Sequence, residues 1–199
     1  MPGVAEEILK EVEKLPEGAV IRAKEFLHLG TRDAVDQAIK RLKDRNELMR
    51  IYPGAYVRPI KTRFGYRAPA PEKVVEGIAA TTAETIVAHG AAAANSLGLT
   101  TQVPIKLVYL TSGRTRTFKL GAQVVELKRS SQWKLLPSHR AAGEAVRALD
   151  WIGERRAAQA LTTLKQTLPE STIQDLIRLR PALPAWMSKS ISQALVSHG

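Results

Sequence analysis

No cysteine occurs in the 199 residues, which excludes a disulfide framework and any thiolate metal site. A long apolar run suited to a bilayer is missing too. The most apolar stretch, Ile78 to Leu99, is interrupted by Glu84, His89 and Asn95, so it is too polar to span a membrane. The opening residues, MPGVAEEILKEVEKL, are acidic and amphipathic, unlike a secretory signal. A soluble cytoplasmic protein with no membrane partner is expected. The four histidines, His28, His89, His139 and His198, lie far apart, and none pairs with another at metal-ligand spacing. His89 sits among small residues and reads as a packed or surface histidine rather than a ligand. No P-loop, dinucleotide fingerprint, nucleophile elbow or zinc-protease motif is present, and the acidic residues of the second half form no paired-carboxylate motif. Ser112-Gly113-Arg114 reads as a turn rather than an anion cradle. The chain therefore offers no catalytic residue, no metal site and no cofactor site, and it does not read as an enzyme.

What is present is positive charge. The formal net charge is +11 with a pI near 10.1, which favours an anionic partner. Between Lys40 and Arg67 nine basic residues (Lys40, Arg41, Lys43, Arg45, Arg50, Arg58, Lys61, Arg63, Arg67) face only Asp44 and Glu47. That segment carries a net +7, more than half of the total from about a seventh of the chain.

The charge lies on a recognisable pattern. Gly30 suits a helix stop, and Thr31 suits the N-cap of the next helix. Val35, Ala38, Ile39 and Leu42 then recur at helical spacing, so that face packs inward. Arg32, Asp36, Gln37, Lys40, Lys43 and Asp44 occupy the other face. After Asn46 the period changes: Leu48 to Tyr52 and Ala55 to Arg58 alternate around Pro53-Gly54, which predicts a tight β-hairpin. A helix with a polar outer face followed by a basic hairpin is the layout of a winged helix-turn-helix, with the helix in the major groove and the hairpin beside it. Upstream, Ile8, Leu9, Val12 and Leu15 form one helical stripe. Pro16-Glu17-Gly18 ends that helix, Val20-Ile21 gives a short extended piece, and a short helix follows from about Ala23 to Leu29. All of this fits within about 60 residues, the size of one winged helix.

Past Pro59, Ile60 to Arg67 interleaves Phe64 and Tyr66 with Lys61, Arg63 and Arg67. It reads equally as a grip on a DNA backbone or as a linker strand. Ala68-Pro69-Ala70-Pro71 is stiff and sets the expected boundary, with residues 1–68 as the DNA-binding domain and 69–199 as a second domain. There a helix is expected from Glu72 to about Ala80 and an alanine-rich one from Glu84 to Leu97. Strands at Ile105–Leu110, Thr115–Leu120 and Gln123–Arg129 predict an antiparallel meander. Helices are expected at about His139–Trp151, Gly153–Leu168, Ser171–Leu179 and Pro184–Val196. Arg114, Arg116, Lys119, Lys128 and Arg129 make a second basic patch. The expected class is α+β: a winged helix-turn-helix followed by a mixed domain with a small antiparallel sheet and C-terminal helices.

Three stretches resemble a known family. Ala38-Ile39-Lys40-Arg41-Leu42 followed by Leu48-Met49-Arg50-Ile51-Tyr52-Pro53-Gly54-Ala55-Tyr56 is similar to the winged helix of AbiEi-type antitoxins. Tyr109 to Arg116 and the strand Val124 to Arg129 resemble the family's second-domain signature, and Leu183-Pro184-Ala185-Trp186-Met187 resembles its C-terminal end. The resemblance covers nearly the whole chain and lies in the order of the motifs. It implies an antitoxin of a bacterial abortive-infection, type IV toxin–antitoxin system, set against a nucleotidyltransferase-like toxin. It also implies repression of its own operon at inverted repeats in double-stranded DNA. Carried onto this chain, DNA recognition falls to Arg32, Gln37, Lys40 and Lys43, with Thr31 at the cap and Arg41 on the flank. Arg50, Tyr52, Tyr56 and Arg58 serve the wing, with Lys61 and Arg63 beyond it. Toxin control falls to the second domain and its patch. Asp33 and Asp36 depart from a plain phosphate-binding face: they suit a helix N-terminus but repel phosphate. Two other readings compete, a ligand-sensing winged-helix transcription factor and a nuclease docked on DNA. The nuclease lacks the clustered carboxylates it would need.

Overall fold

A computed structural model describes residues 3–137 and 140–196. The architecture is α+β, and the chain forms two compact units, Met1–Glu84 with Thr117–Val125, and Thr85–Arg116 with Glu126–Gly199.

In the first unit, α1 (Val4–Val12) turns Ala5, Ile8 and Val12 inward. A 3-10 turn at Ala23–Phe26 buries Phe26, and α2 (Arg32–Asp44) buries Val35, Ala38, Ile39 and Leu42. These side chains share one core with Ile21 and Leu48. Each large one contributes roughly 1.5–3 kcal/mol on leaving water. The expected inward face of α2 is thus the observed one. β1 (Met49–Tyr52) and β2 (Ala55–Val57) form the hairpin, with Met49 opposite Val57 and Arg50 opposite Tyr56. Tyr56 also exchanges both backbone hydrogen bonds with Ile21, at 2.8 and 3.0 Å. That bridge fastens the hairpin to the segment entering the 3-10 turn.

Residues 60–67 are a second hairpin, not a linker strand: β3 (Ile60–Thr62) pairs antiparallel with β4 (Gly65–Arg67). Next, α3 (Pro71–Thr82) begins on its proline and buries Val74, Val75 and Ile78. The compact units therefore do not divide at 68/69. Glu17 accepts a hydrogen bond from the Ala70 N–H at 2.9 Å, and a Cβ on Gly77 would overlap the Gly18 carbonyl oxygen. Stiffness was legible in Ala68–Pro71, but the small residues that let α3 pack on the Gly18 loop join it to the first unit.

In the second unit the alanine-rich segment is not one helix. Ala83 ends α3 in the left-handed region at φ 56. The β-branched pair Ile86-Val87 then lies in a strand, β5 (Ile86–Ala88), and α4 (Gly90–Ser96) follows. β6 (Leu107–Thr111), β7 (Arg116–Leu120) and β8 (Gln123–Arg129) complete a four-stranded sheet of order β5-β6-β8-β7. The hairpin tip, Thr117–Val125, belongs to the first unit. There the buried Phe118 meets Tyr52 edge-on, ring centres 6.5 Å apart.

A short helix, α5 (Gln132–Leu135), leads to α6 (Ala141–Ile152), α7 (Glu154–Thr167), α8 (Glu170–Leu179) and α9 (Ala185–Ile191). The last runs into a π-helical turn at Ser192–Val196. Val146, Leu149, Leu161, Leu164, Leu176, Met187 and Ile191 fill this unit's core. Gly90 lets α4 approach α6, since a Cβ there would meet the Arg147 carbonyl and Trp151. No helix among the described residues is long and apolar enough to cross a membrane.

Candidate nucleic-acid interface

The α2 helix presents one exposed polar face. Thr31 caps it, its hydroxyl accepting from the Ala34 N–H at 3.3 Å. Arg32, Gln37, Lys40, Arg41 and Lys43 are all exposed. Asp36 is held by Arg32 at 2.8 Å, with each side chain about half exposed. Such a pair on an exposed helix is worth only about 0.3–0.5 kcal/mol, so either group can be drawn off by a ligand. Asp33 stays in the first turn, where the helix dipole favours an anion. Lys43 reaches its neighbour Asp44 at 3.2 Å. Lys40 and Arg41 form no ion pair among the described residues.

The β1–β2 hairpin supplies less than expected. Arg50 is exposed and Arg58 half-buried. Tyr52 is half-buried, with its ring against Phe118, and Tyr56 packs on the first unit's core. Tyr52 therefore helps position the hairpin, whereas Tyr56 also lines a groove beside α2. Its turn, Pro53-Gly54, carries no charge.

Two grooves collect the cations. One, of about 330 Å³, is lined by Arg22, Lys24, Arg32, Asp36, Gly54 and Tyr56. The other, of about 460 Å³, is lined by Lys43, Asn46, Met49, Arg50, Pro59 and Tyr66. Arg22 and Lys24 escaped sequence reasoning because they flank Ile21 without any period of their own. The Ile21–Tyr56 bridge brings them beside α2. Lys61 and Arg63 are exposed on the second hairpin, joined by Phe64 and Arg67.

The second patch is not one surface. On β7 the buried Phe118 and Leu120 point inward, which turns Lys119 outward. Along β8 the buried Val125 and Leu127 place Lys128 on the outward side and Arg129 on the inward side at the strand's end. Lys128 lies 3.6 Å from Glu126, and Arg116 donates to the Arg114 carbonyl at 3.1 Å. Lys119 belongs to the first unit and the other four residues to the second.

His89 caps α4, its Nδ1 accepting from the Ala91 N–H at 3.2 Å. Burial, then the charge of Lys128, lowers its pKa below the usual histidine value. His28 is exposed and pairs with Glu11 at 2.9 Å. That hydrogen bond raises its pKa. His139 and His198 lie outside the described residues. Among the described residues, no three His, Asp or Glu side chains converge as a metal site.

The sequence profile of DUF6088, a family of unknown function, matches residues 7–176. The chain belongs to DUF6088. No curated protein matches it. This DUF6088 chain is similar in structure to the RV2827C protein from Mycobacterium tuberculosis, seen in a crystal structure. The two are 17% identical with a TM-score of 0.54, over 100% of this chain and 78% of that one. At that identity the likeness establishes the fold alone.

Proposed function

We propose that this chain is a bacterial antitoxin and a DNA-binding repressor of its own toxin–antitoxin operon, acting in the cytoplasm. In this reading residues 1–68 form a winged helix-turn-helix, and α2 enters the major groove of an operator with inverted repeats. The observation that carries the reading is the exposed face of α2, which presents Gln37, Lys40 and Arg41 and supplies Arg32 to one groove and Lys43 to the other. Phosphates supply most of the affinity of such a surface, and base edges supply its specificity. Lys40, Arg41, Arg50 and Arg58 suit phosphate contacts. Gln37 suits an adenine, which a glutamine reads with two hydrogen bonds.

Control of a nucleotidyltransferase-like toxin rests on the resemblance to AbiEi-type antitoxins, which assigns that role to the second domain. No catalytic residue, metal or cofactor enters the proposal. A second reading, a ligand-sensing regulator, draws on a groove of about 540 Å³ along His89, Val103, Pro104, Ile105 and Val108. Ile105 is 99% exposed, so that groove offers a ligand little enclosure.

The test is a gel-shift titration of the full chain on duplex DNA from upstream of its own gene, against a scrambled duplex. Affinity should fall roughly 10³- to 10⁵-fold between about 50 and 200 mM salt if six to ten phosphates are contacted. The native duplex should win at every salt concentration. Absence of binding at low salt defeats the proposal. Co-expression with the neighbouring toxin gene tests its other half: growth should recover only when this chain is present.

A further inference from the structure

The two hairpins of the first unit are built for different tasks. The β1–β2 turn is Pro53-Gly54, without charge, and its tyrosines are half-buried. The β3–β4 hairpin carries Lys61 and Arg67 on its strands and Arg63-Phe64 at its tip, all exposed. No acidic residue occurs between Leu48 and Pro71.

The tip is held in shape. The Thr62 hydroxyl accepts from the Phe64 N–H at 3.2 Å and donates to the Gly65 carbonyl at 2.9 Å. Gly65 sits at φ +109, which a side-chain-bearing residue adopts only with strain. This fixed turn leaves Phe64 86% exposed as a residue, with the Arg63 guanidinium over its ring, 4.6 Å from the centre. A phenyl ring held in water at a rigid, cationic tip is a poor use of apolar surface unless a partner covers it. Phosphates account for the arginines and the lysine, but not for the ring. A stack of bases accounts for both, because every base offers a flat apolar face between two rows of phosphates.

We propose that the β3–β4 hairpin enters the minor groove of bound duplex DNA and that Phe64 wedges between adjacent base pairs, bending the duplex. Inserted apolar side chains act this way in minor-groove proteins, unstacking a step so that more protein surface meets the backbone. The hairpin is placed to do so alongside α2, since Pro59 and Tyr66 line the same groove as Lys43 and Arg50. Lys61, Arg63 and Arg67 then meet the phosphates flanking the wedge. The inference rests on the DNA-binding reading above and adds to it a bend and the residue that makes it.

The experiment uses the full chain and a duplex from upstream of its gene with 2-aminopurine placed in turn beside each TA or CA step, where unstacking is easiest. Dyes at the two ends report bending by energy transfer. The unaltered chain should brighten 2-aminopurine at one step of each half-site and draw the ends together. Phe64→Ala should bind about 5- to 150-fold more weakly, the loss of one stacked base, with neither signal at saturation. Phe64→Leu, still an apolar wedge, should keep part of both. A normal melting temperature for Phe64→Ala confirms that the exposed tip is dispensable for folding. Binding by the unaltered chain without either signal overturns the wedge and leaves the DNA-binding reading standing. Equal signals from Phe64→Ala also overturn it. No binding at low salt overturns both.

Discussion

The two compact units distribute their unpaired cations differently along the chain. In the first unit, Lys40, Arg41, Arg50, Arg58, Lys61 and Arg63 form no ion pair among the described residues. In the second, some cations are held by carboxylates or by neutral oxygens, while Lys106, Arg155, Arg156, Lys165 and Lys189 form no ion pair among the described residues. Lys134 meets Asp150 at 2.6 Å, and Asp175 takes both Arg140 and Arg178 at 3.6 and 3.4 Å. Arg180 donates to the Ser192 hydroxyl at 2.8 Å. Arg147, 4% exposed on α6, donates to the Lys134 carbonyl, and burial lowers its pKa. Both units hold some cations in ion pairs, Arg32, Lys43, Arg45 and Lys73 in the first and Lys128, Lys134, Arg140 and Arg178 in the second, and both leave others unpaired. What separates the units is where the unpaired cations just named fall: in the first they gather between Lys40 and Arg63, and in the second they are spread from Lys106 to Lys189. From Leu48 to Pro71 the first unit has no acidic residue, whereas α2 itself exposes Asp33, Asp36 and Asp44.

The largest effect should come from the scaffold beneath the interface. Leu42→Ala removes a buried contact between α2 and the first unit's core, at an expected cost of about 2–5 kcal/mol. Chemical denaturation should show it, with DNA binding weakened in parallel. A fully stable variant would mean that α2 is not held by its inward face.

Next comes the contrast in charge. Lys40→Ala with Arg41→Ala should leave stability within about 0.5 kcal/mol, as exposed substitutions usually do. It should reduce the salt slope of DNA binding by about two, roughly one per lost phosphate contact. The matched change in the second unit, Arg140→Ala with Arg178→Ala, should leave that slope unaltered. Equal losses from both pairs would erase the distinction between the units.

A smaller effect belongs to the helix start. Thr31→Ala deletes the cap that orients the first turn of α2, at about 1 kcal/mol. Thr31→Asn should restore most of it in thermal melts.

The smallest effect, but the one that sets the units against each other most directly, is pH dependence. The His89 pKa is lowered by burial, so the unfolded chain binds the proton more readily. Its contribution is present above the unfolded value of about 6.5 and is lost as the pH falls below it. The His28 pKa is raised by Glu11, so its contribution is complete below about 6.5 and fades as the pH rises through the folded value. His89→Asn, which keeps a capping acceptor, should flatten the acid side of a melting-temperature profile. His28→Gln should flatten the neutral-to-alkaline side. Flattening on the opposite sides would reverse both assignments.

Local order was well written in the chain. The three-to-four-residue spacing of Val35, Ala38, Ile39 and Leu42 determined the buried face of α2, and therefore which residues it exposes. Pro53-Gly54 between alternating stretches determined the first hairpin, and Gln123 to Arg129 its strand, because period-two patterning and turn chemistry are local properties. Alanine was misleading at Glu84–Leu97. Helix propensity is a weak local bias, and there the buried Ile86-Val87 pair and the left-handed Ala83 outweighed it. Arg22 and Lys24 carried no readable pattern at all.

By itself, then, the sequence determined the α+β class, the face of α2 that looks outward and the excess of positive charge near it. Tertiary structure decided which charges remain unmet, which hairpin projects its side chains, and that α3 packs on the Gly18 loop. The physical reason is distance along the chain. Periodicity reports neighbours three or four residues apart, whereas the Ile21–Tyr56 bridge, the Glu17–Ala70 hydrogen bond and the Tyr52–Phe118 contact join residues 35 to 66 positions apart. Pairings of that kind exist only once the cores have formed.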